Sequence, residues 1–342
     1  MVAMSVFTST GTENRMRWDR RKRGFMEVWF ATLNHGPTGS GLWVRYTLTS
    51  PAHAEPYCEL WAFWFDPAGE RSFAGKERYS IDHLGSANGR DDGALVRIGD
   101  AWMSESHLEG EVTAATRTLA WSLDLEPAAR TFQHIPAALR DRLERRVSAL
   151  CSPNLSVPFR GNVKLDGEGF EFDGDRGCQS HRWGARHAGT WAWAHCESFD
   201  GAPGTLFEGL AARTDIARIP LPTTSLLYLR HEGEDIPFNE LRWALSAKSR
   251  YEMPMWAFHA RNESWKIIGG ARTAHDRTVQ VRYEDPNGSE RFCANSEIAD
   301  LAIELYRDSP SGWRHVRSLI SIRAAHLEFG RRTPFEGLAV TL

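Results

Sequence analysis

The densest set of chemically active side chains lies in residues 177–197, GCQSHRWGARHAGTWAWAHCE. This stretch holds three of the thirteen histidines and three of the fourteen tryptophans. After a loop predicted at Gly177–Ser180, large residues alternate with small ones. The large residues are Trp191, Trp193, His195 and Glu197, and the small ones are Ala192, Ala194 and Cys196. Because successive side chains of a strand point to opposite faces, we predict a strand with an aromatic, ionisable face that lines a cavity and a small face that packs tightly.

An ionisable residue two positions from a tryptophan recurs in three predicted strands near the N-terminus. The pairs are Glu27 with Trp29, Arg45 with Trp43, and Glu59 with Trp61. If these faces point inward, each charge needs a partner, and we expect Glu27 and Arg45 on neighbouring strands to pair. If they point outward, the tryptophans shield surface ion pairs. The recurrence of the pattern favours the inward face.

An inward face of this composition constrains the chemistry. A carboxylic acid against tryptophan rings loses hydration and holds its proton more tightly, so it can act as a general acid. Each tryptophan face stabilises positive charge by ~0.5–2 kcal/mol. Such a cavity suits protonation of an alkene, or another reaction that builds cationic character in an apolar substrate. It equally suits simple binding of an amphipathic molecule.

The remaining ionisable residues of this region carry weaker expectations. His181, in a glycine-flanked segment, fits a catalytic and a structural role equally well. His187 precedes a turn, and we expect a surface or capping role. The spacings of six and eight among His181, His187 and His195, without an HExxH motif, do not favour a metal site. We expect the Glu208 side chain to point outward to solvent rather than to be a buried acid.

Short predicted strands separated by Gly, Pro, Asn and Asp turns must position these residues. The clearest are residues 25–33, 42–48 and 57–65, followed by others to residue 213 and by a second strand-rich block from 225 to 328 that includes 240–248. Residues 135–150, IPAALRDRLERRVSAL, have apolar side chains at helical spacing and predict the one helix. This pattern indicates antiparallel barrels or sandwiches rather than a βαβ fold.

Composition excludes several classes of protein. A net charge of −3 gives no overall electrostatic case for nucleic-acid binding, and the basic run at residues 15–23 is interpreted as a solvated lead-in. No apolar run approaches ~18 residues and no signal peptide is recognised, so we predict a cytoplasmic protein without stable membrane insertion.

Five scattered cysteines without a CxxC are expected as reduced thiols. Nucleotide-binding motifs and a GxSxG elbow are missing, so we expect no cofactor and no metal.

The run Gly177–Gly184, followed by Trp191-Ala192-Trp193, resembles a motif of the carotenoid 1,2-hydratase and tocopherol cyclase superfamily. The early strands MEVWF and GLWVRYTL resemble those of its uncharacterised bacterial members. The resemblance implies two consecutive lipocalin-like β-barrels with a ligand cavity, an architecture that cofactor-free fungal Diels–Alderases share. It is strongest at residues 24–66 and 177–213.

Hydratase members of that superfamily carry tyrosine, histidine, aspartate, histidine, asparagine, tryptophan and glycine in this motif. The second histidine and the tryptophan, which are implicated in catalysis there, correspond to His181 and Trp183. The tyrosine, first histidine, aspartate and asparagine are replaced here by Cys178, Gln179, Ser180 and Arg182. A carboxylic acid is thereby lost from the motif, so the resemblance transfers the fold and the pocket better than the addition of water to a carotenoid.

We therefore predict an all-β fold of two tandem lipocalin-like antiparallel β-barrels with one short helix. Residues 1–23 are expected to be a disordered or extended lead-in, residues 24–216 a first barrel that carries the ligand pocket, and residues 217–342 a second barrel. The connector between them is predicted near Ile216–Pro222. The oligomeric state is left open, with a homodimer as one alternative.

The leading hypothesis is a cofactor-independent cyclase, hydratase or isomerase that acts on a hydrophobic isoprenoid- or polyketide-like substrate. Glu27 is predicted as the acid, Arg45 orients it or binds a polar substrate group, His181 positions a hydroxyl or water, and His195 supports the site. The predicted substrate-binding residues are Trp29, Trp43, Glu59, Trp61, Gln179, Trp183, Trp191 and Trp193. On this hypothesis Glu27→Gln and His181→Ala each lower turnover ~10²-fold without unfolding. The alternatives are a non-catalytic carrier of a hydrophobic molecule and, less favoured, a protein-interaction module.

Overall fold

A computed structural model describes residues 6–9, 11–85, 93–135, 147–216, 219–220 and 222–342, and these residues form two large antiparallel sheets. The first sheet has thirteen strands, all before residue 185. They are β1 (Phe7–Ser9), β2 (Phe25–His35), β3 (Ser40–Ser50), β4 (Tyr57–Phe65), β5 (Phe73–Ser80), β6 (Leu84–Gly85), β7 (Val96–Ile98), β8 (Ala101–Met103), β9 (His107–Ala114), β10 (Arg117–Leu125), β11 (Arg130–Gln133), β12 (Ser148–Leu165) and β13 (Glu168–Gly184).

The second sheet has ten strands, and the same part of the chain also forms a separate two-stranded ribbon. The strands are β14 (Thr190–Cys196), β15 (Leu206–Arg213), the ribbon β16 (Asp215–Ile216) and β17 (Ile219–Pro220), then β18 (Thr224–His231), β19 (Glu234–Pro237), β20 (Lys248–Glu252), β21 (Met255–Arg261), β22 (Trp265–Arg272), β23 (Val279–Glu284), β24 (Glu290–Arg307) and β25 (Arg314–Arg331). Helix α1 (Leu241–Ala244) is one turn, and 3₁₀ turns occupy Ile81–His83 and His275–Arg277.

The long hairpin β12–β13 shows how local sequence sets these strands. Its two-residue turn is Asp166-Gly167, and both residues have positive φ, 53° and 89°. Asp-Gly is the pair that tolerates this conformation in a hairpin turn that matches the twist of the flanking strands. The equivalent hairpin of the second sheet is β24–β25, with eighteen residues in each strand.

Each sheet curls around its own apolar core. In the first sheet the order is β5-β4-β3-β2-β13-β12-β10-β9-β8-β7-β6, and edge strand β5 meets β9, where the Thr113 N–H donates to Glu77 Oε1 at 2.8 Å. Trp29, Tyr46, Trp64 and Trp121 fill the interior of this sheet. The second sheet encloses a separate core around Phe207, Trp256 and Phe258. The architecture is that of two tandem lipocalin-like barrels, which confirms the predicted fold class.

The outer faces of β2, β3, β4 and β13 pack against the second sheet. A third apolar cluster occupies this layer and contains residues from both sheets: Trp43, Trp61, Phe63, Phe65, Trp191, Trp193, Val281, Tyr283, Cys293 and Ile298. The sheets approach closely at Gly41, where a Cβ would lie 2.8 Å from the backbone oxygen of Glu297. We call this layer the inter-sheet layer.

Several local predictions differ from the structure. Gly177–Ser180 is part of strand β13 rather than a loop, because it pairs with β2 along residues 30–33. Residues 241–244 form α1 instead of part of a strand, and Glu240 O accepts the Ala244 N–H at 2.8 Å. Of the helix predicted at 135–150, residues 136–146 lie outside the described residues, while Ser148–Leu150 begin β12 because they pair with Arg182–Gly184.

The change from the first sheet to the second lies between Gly184 and Thr190. This is N-terminal to the boundary predicted near residue 216, because β14 pairs with β25 across the second sheet. The division of the chain into separate folding units stays a prediction. Within the described part of the chain, no helix has the length and hydrophobicity needed to cross a bilayer.

Candidate functional site

Strand register divides the predicted site residues between two places. Glu27 lies opposite Leu48, and Phe30 lies opposite Arg45. Directly opposite residues of an antiparallel pair share a face, so Glu27 points into the first barrel and Arg45 into the inter-sheet layer. The predicted Glu27–Arg45 pair is therefore wrong, and so is the prediction of one shared cavity.

Five of the predicted residues lie inside the first barrel: Glu27, Trp29, Gln179, His181 and Trp183. The Glu27 carboxylate accepts the N–H groups of Arg17 and Trp18 at 2.7 and 3.0 Å and faces His181 Nε2 at 2.9 Å. His181 Nδ1 donates to the backbone oxygen of Glu13 at 2.7 Å, and the ring stacks on Trp29 at 4.7 Å. These contacts fix the N-terminal segment 13–18 across the barrel interior.

Most hydrogen-bonding groups at this place are occupied by protein atoms, although Asn14 Oδ1 and Arg17 Nε are buried without a partner among the described residues. Gln179 Oε1 accepts from Asn14 and Asn154, and its amide donates to the backbone oxygen of Ser104. The Trp29 indole N–H donates to the backbone oxygen of Asn14. The arrangement holds the segment against the barrel interior. A catalytic role for Glu27 and His181 stays a prediction.

Replacement of Glu27 by Gln should lower the free energy of unfolding by about 1.5–3 kcal/mol, because the N–H groups of Arg17 and Trp18 and the His181 ring lose a charged hydrogen-bond partner. It should also speed amide exchange at Arg17 and Trp18, whose N–H groups lose a charged acceptor. Urea denaturation and hydrogen exchange measure the two effects. Glu13→Gln, on the same segment, is the control, since Glu13 contacts His181 only through its backbone. Unchanged stability and exchange in Glu27→Gln would contradict the assignment.

The other predicted residues, Trp43, Arg45, Glu59, Trp61, Trp191, Trp193 and His195, face the inter-sheet layer. The Arg45 guanidinium lies over three aromatic rings, with its Cζ 4.4 Å from the Tyr283 centroid, 5.3 Å from Trp61 and 5.9 Å from Trp43. Its Nε donates to Thr47 Oγ1 at 3.1 Å. Arg45 is only 5% exposed, so this charge is held in an aromatic, largely dry environment.

Glu328 of β25 supplies a carboxyl group to the same place. It accepts the Trp191 indole N–H and the Asn295 amide N–H, both at 3.3 Å. Burial raises the pKa of Glu328 above its ordinary value, although Arg45 opposes the shift. Its side chain nevertheless remains half-buried, as do those of Phe30, Arg182 and Leu210. Because these groups keep accessible surface inside the inter-sheet layer, we infer a cleft between the two sheets at this place.

His187 and Asp285 form an oriented pair at the edge of this cleft. The backbone N–H and ring Nδ1–H of His187 donate to Asp285 Oδ1 at 2.9 and 2.6 Å. The ring stacks on Tyr283 at 4.9 Å and on Trp191 at 5.4 Å. Burial, with the nearby charge of Arg182, lowers the pKa of His187 to about 3, so the ring is neutral near pH 7.

The hydrogen bond to Asp285 leaves the proton of this neutral ring on Nδ1. Nε2 then carries a lone pair, and it is buried without a hydrogen-bond partner among the described residues. Burial opposes ionisation of Asp285, but His187 and Arg291 outweigh it and hold the pKa of that carboxyl at about 2. A neutral imidazole oriented by a carboxylate has the geometry of a general base, and its low pKa makes it a weak one that suits a strongly acidic cationic intermediate. We define the inter-sheet site as Trp43, Arg45, Trp61, Arg182, His187, Trp191, Tyr283, Asp285 and Glu328.

The tocopherol cyclase-like family model matches residues 157–331, just over half of the 342 residues. The chain belongs to the tocopherol cyclase-like family. The matched stretch carries six members of the inter-sheet site: Arg182, His187, Trp191, Tyr283, Asp285 and Glu328.

Relatives of this tocopherol cyclase-like protein occur in two strains of Mycobacterium tuberculosis. Each is an uncharacterised protein that is 28% identical over 319 residues, which cover 92% of this chain and 89% of the relative. Two solved structures share the fold. An AttH-like protein of Nitrosomonas europaea has a TM-score of 0.53 at 13% identity and covers 92% of this chain and 95% of its own. CghA with Sch210972 has a TM-score of 0.52 at 11% identity, with coverages of 90% and 88%.

His195, predicted as a supporting residue, belongs to a second buried network in this tocopherol cyclase-like protein. Glu208 faces His195 Nδ1 at 2.8 Å and His134 Nε2 at 2.6 Å, and it accepts the Trp193 indole N–H at 2.6 Å. His195 Nε2 lies 2.9 Å from Glu197. The expected outward position of Glu208 is therefore wrong, because these three groups hold it inside at 1% exposure.

Glu59 lies at the rim of the inter-sheet layer. It accepts from Arg78 at 2.8 Å and from the Trp61 indole N–H at 3.3 Å, and Arg78 also contacts Glu284 of the second sheet at 3.1 Å. Its carboxylate is therefore used in an ion-pair chain between the sheets. A substrate-binding role for Glu59 stays a prediction.

Sequence reasoning missed His187, Tyr283, Asp285, Arg182 and Glu328. The expected surface role of His187 is wrong, since the ring is 2% exposed and packed between aromatic rings. The Asp285-Pro286-Asn287-Gly288 run indicated only a turn. The one available signal was the alternation of β14, which placed Trp191 on an aromatic face. Among the residues that the structure describes, no group of three or more histidine, cysteine, aspartate or glutamate side chains has an arrangement that could hold a metal ion.

Proposed function

We propose that this protein is a cofactor-independent cyclase, hydratase or isomerase that acts on a hydrophobic isoprenoid- or polyketide-like substrate in the inter-sheet site. Membership of the tocopherol cyclase-like family supports the general class. The CghA complex with Sch210972 supports ligand binding by a protein of this fold. The observation that carries the proposal is the position of Glu328, a carboxyl group bonded to Trp191 beside the aromatic cluster of the inter-sheet layer, with a pKa that burial raises.

The proposed chemistry follows from the protonation states of two groups. Glu328 retains its proton more readily than an exposed glutamate and donates it to an alkene or leaving oxygen. The faces of Trp43, Trp61 and Tyr283 then stabilise cationic character in the apolar substrate. His187 Nε2, neutral and oriented by Asp285, accepts a proton from the hydroxyl or carbon that closes the reaction. The same two groups serve cyclisation, hydration and isomerisation.

An activity screen tests the proposal without a known substrate. Native mass spectrometry identifies compounds that the purified protein retains from an organic extract of the cells that produce it. Liquid chromatography with mass detection then follows those compounds over time. A new retention time at unchanged mass indicates cyclisation or isomerisation, and an added water indicates hydration. If every retained compound is recovered unaltered, the protein is a carrier and the proposed enzyme is wrong.

A further inference from the structure

The inter-sheet site contains two arginines that lack an acidic partner. Among the described residues, no carboxylate lies within ion-pair distance of Arg45 or Arg182. The Arg45 Nε bonds to Thr47, and its terminal nitrogens make no hydrogen bond to described residues. Arg182 bonds through Nε and Nη2 to one neutral acceptor, Ser148 Oγ, at 3.2 and 3.1 Å. Two guanidinium groups therefore reach the cleft with unsatisfied donors.

Three carboxylates in or beside the inter-sheet layer are already bonded to other groups. Asp285 is bonded to His187, and Arg291 lies 3.7 Å from it. Glu297 is bonded to Thr32 and His326, and Glu59 pairs with Arg78. Arg45, Arg182 and Arg291 set three guanidinium groups against the two carboxyl groups of Asp285 and Glu328, so the local charge balance at the inter-sheet site is positive.

The two guanidinium groups are partly or wholly removed from water. Burial, followed by the neighbouring charge of Arg45, lowers the pKa of Arg182 to about 10. A buried charge without a counter-ion is unfavourable, and it persists where a bound group supplies the opposite charge. Arginine's planar fork of donors matches a carboxylate by two parallel hydrogen bonds.

We propose that the ligand of the inter-sheet site carries a carboxylate, which Arg45 and Arg182 bind while the rings of Trp43, Trp61 and Tyr283 hold its apolar body. The substrate class is then a hydrophobic carboxylic acid rather than a neutral hydrocarbon or alcohol. This inference rests on the proposed function only for the location of the site. It assigns to the two arginines a positioning role, because neither needs to exchange a proton.

A matched pair of probes tests the charge of the ligand separately from its shape. 2-Naphthoate and 2-naphthamide have nearly the same size, and only the first is anionic. Titration of the full-length protein, followed by tryptophan fluorescence, should give at least tenfold tighter binding of the naphthoate. The variants Arg45→Met and Arg182→Met should each reduce this preference to less than threefold. Arg160→Met, which removes an exposed arginine of β12, should leave it unchanged.

The stability of the variants provides a second readout. In ligand-free protein, Arg45→Met should melt at or above the wild-type temperature, because it removes an uncompensated buried charge. Saturating naphthoate should raise the melting temperature of the wild type but not of Arg45→Met. Equal binding of the two probes, no binding of naphthoate, or a preference that survives in both arginine variants would overturn the inference.

Failure of this inference is distinguishable from failure of the proposed enzyme. If the wild type prefers naphthoate and converts no retained compound, the carboxylate site stands and the protein is a carrier of hydrophobic acids. If the protein converts a neutral compound and Arg45→Met converts it at the wild-type rate, the enzyme stands and the carboxylate site is wrong.

Discussion

Glu328→Gln should lower turnover at least ~10²-fold while the protein stays folded. Gln keeps an oxygen that can accept from Trp191 or Asn295, and it has nearly the same volume, so packing in the inter-sheet site is preserved. It cannot donate the proton that the proposed reaction needs. The measurement is kcat for whichever retained compound the screen shows to be converted. Glu111→Gln, an exposed glutamate on β9, is the matched control and should retain full activity.

The pH profile provides an independent check on Glu328. Because burial raises its pKa, the acid form persists above the ordinary value of 4.5. Turnover should be highest while Glu328 is protonated and should fall as the pH rises through its pKa. The residual activity of Glu328→Gln should not show this decrease. If the variant retains wild-type kcat, or if both proteins lose activity over the same pH range, Glu328 is not the acid.

Glu208→Gln should lower the free energy of unfolding by about 3–5 kcal/mol, because it breaks a buried ionic network by removing its central charge. Glu208 faces His134 and His195 and accepts the Trp193 indole N–H, all inside the inter-sheet layer. An amide cannot accept from all three. Urea denaturation at pH 6 measures the loss, and Glu111→Gln again serves as the control.

The effect of Glu208→Gln should depend on pH in a defined direction. Burial alone would raise the pKa of Glu208, but the two histidines outweigh it and lower the pKa to about 2. The stability that ionised Glu208 contributes is present above pH 4.5 and is lost as the pH falls through about 2. Burial alone would lower the pKa of His195, but Glu197 and Glu208 raise it to about 9. The stability that protonated His195 contributes is complete below pH 6.5 and is lost as the pH rises through about 9.

Both contributions are therefore complete between about pH 4.5 and 6.5. The stability difference between wild type and Glu208→Gln should be largest in this window and smaller on either side. A difference below about 1 kcal/mol at pH 6 would show that the network contributes little to folding. A difference that is constant from pH 4 to pH 9 would show that the charge of His195 is not part of its contribution.

Local sequence was enough to predict the strands that carry the site. Tyr57–Phe65 was predicted with its observed ends, and the alternation of Trp191 and Trp193 with Ala192 and Ala194 gave the two faces of β14. These features are local because side-chain direction repeats every two residues along a strand. The motif Gly177–Gly184 gave the superfamily, which the family model confirms.

Local sequence patterns did not determine which strand faces pack against each other. Glu27 and Arg45 are both two positions from a tryptophan on adjacent strands, yet the register places them on opposite faces of the first sheet. A shift of one residue in the pairing of β2 with β3 would have placed Glu27 and Arg45 on the same face of the sheet. Sequence alternation fixes a face only relative to its own strand.

The sequence by itself determined an all-β protein with aromatic strand faces and a family motif, because periodicity, turn residues and motif spacing are properties of neighbouring residues. Only the tertiary structure separated the closed Glu27–His181 pair from the inter-sheet site. It also brought Arg45 and Trp61 of the first sheet to Tyr283 and Glu328 of the second. The physical reason is that packing between two sheets joins residues more than two hundred positions apart, and the cost of leaving a charge unpaired there depends on what that packing covers.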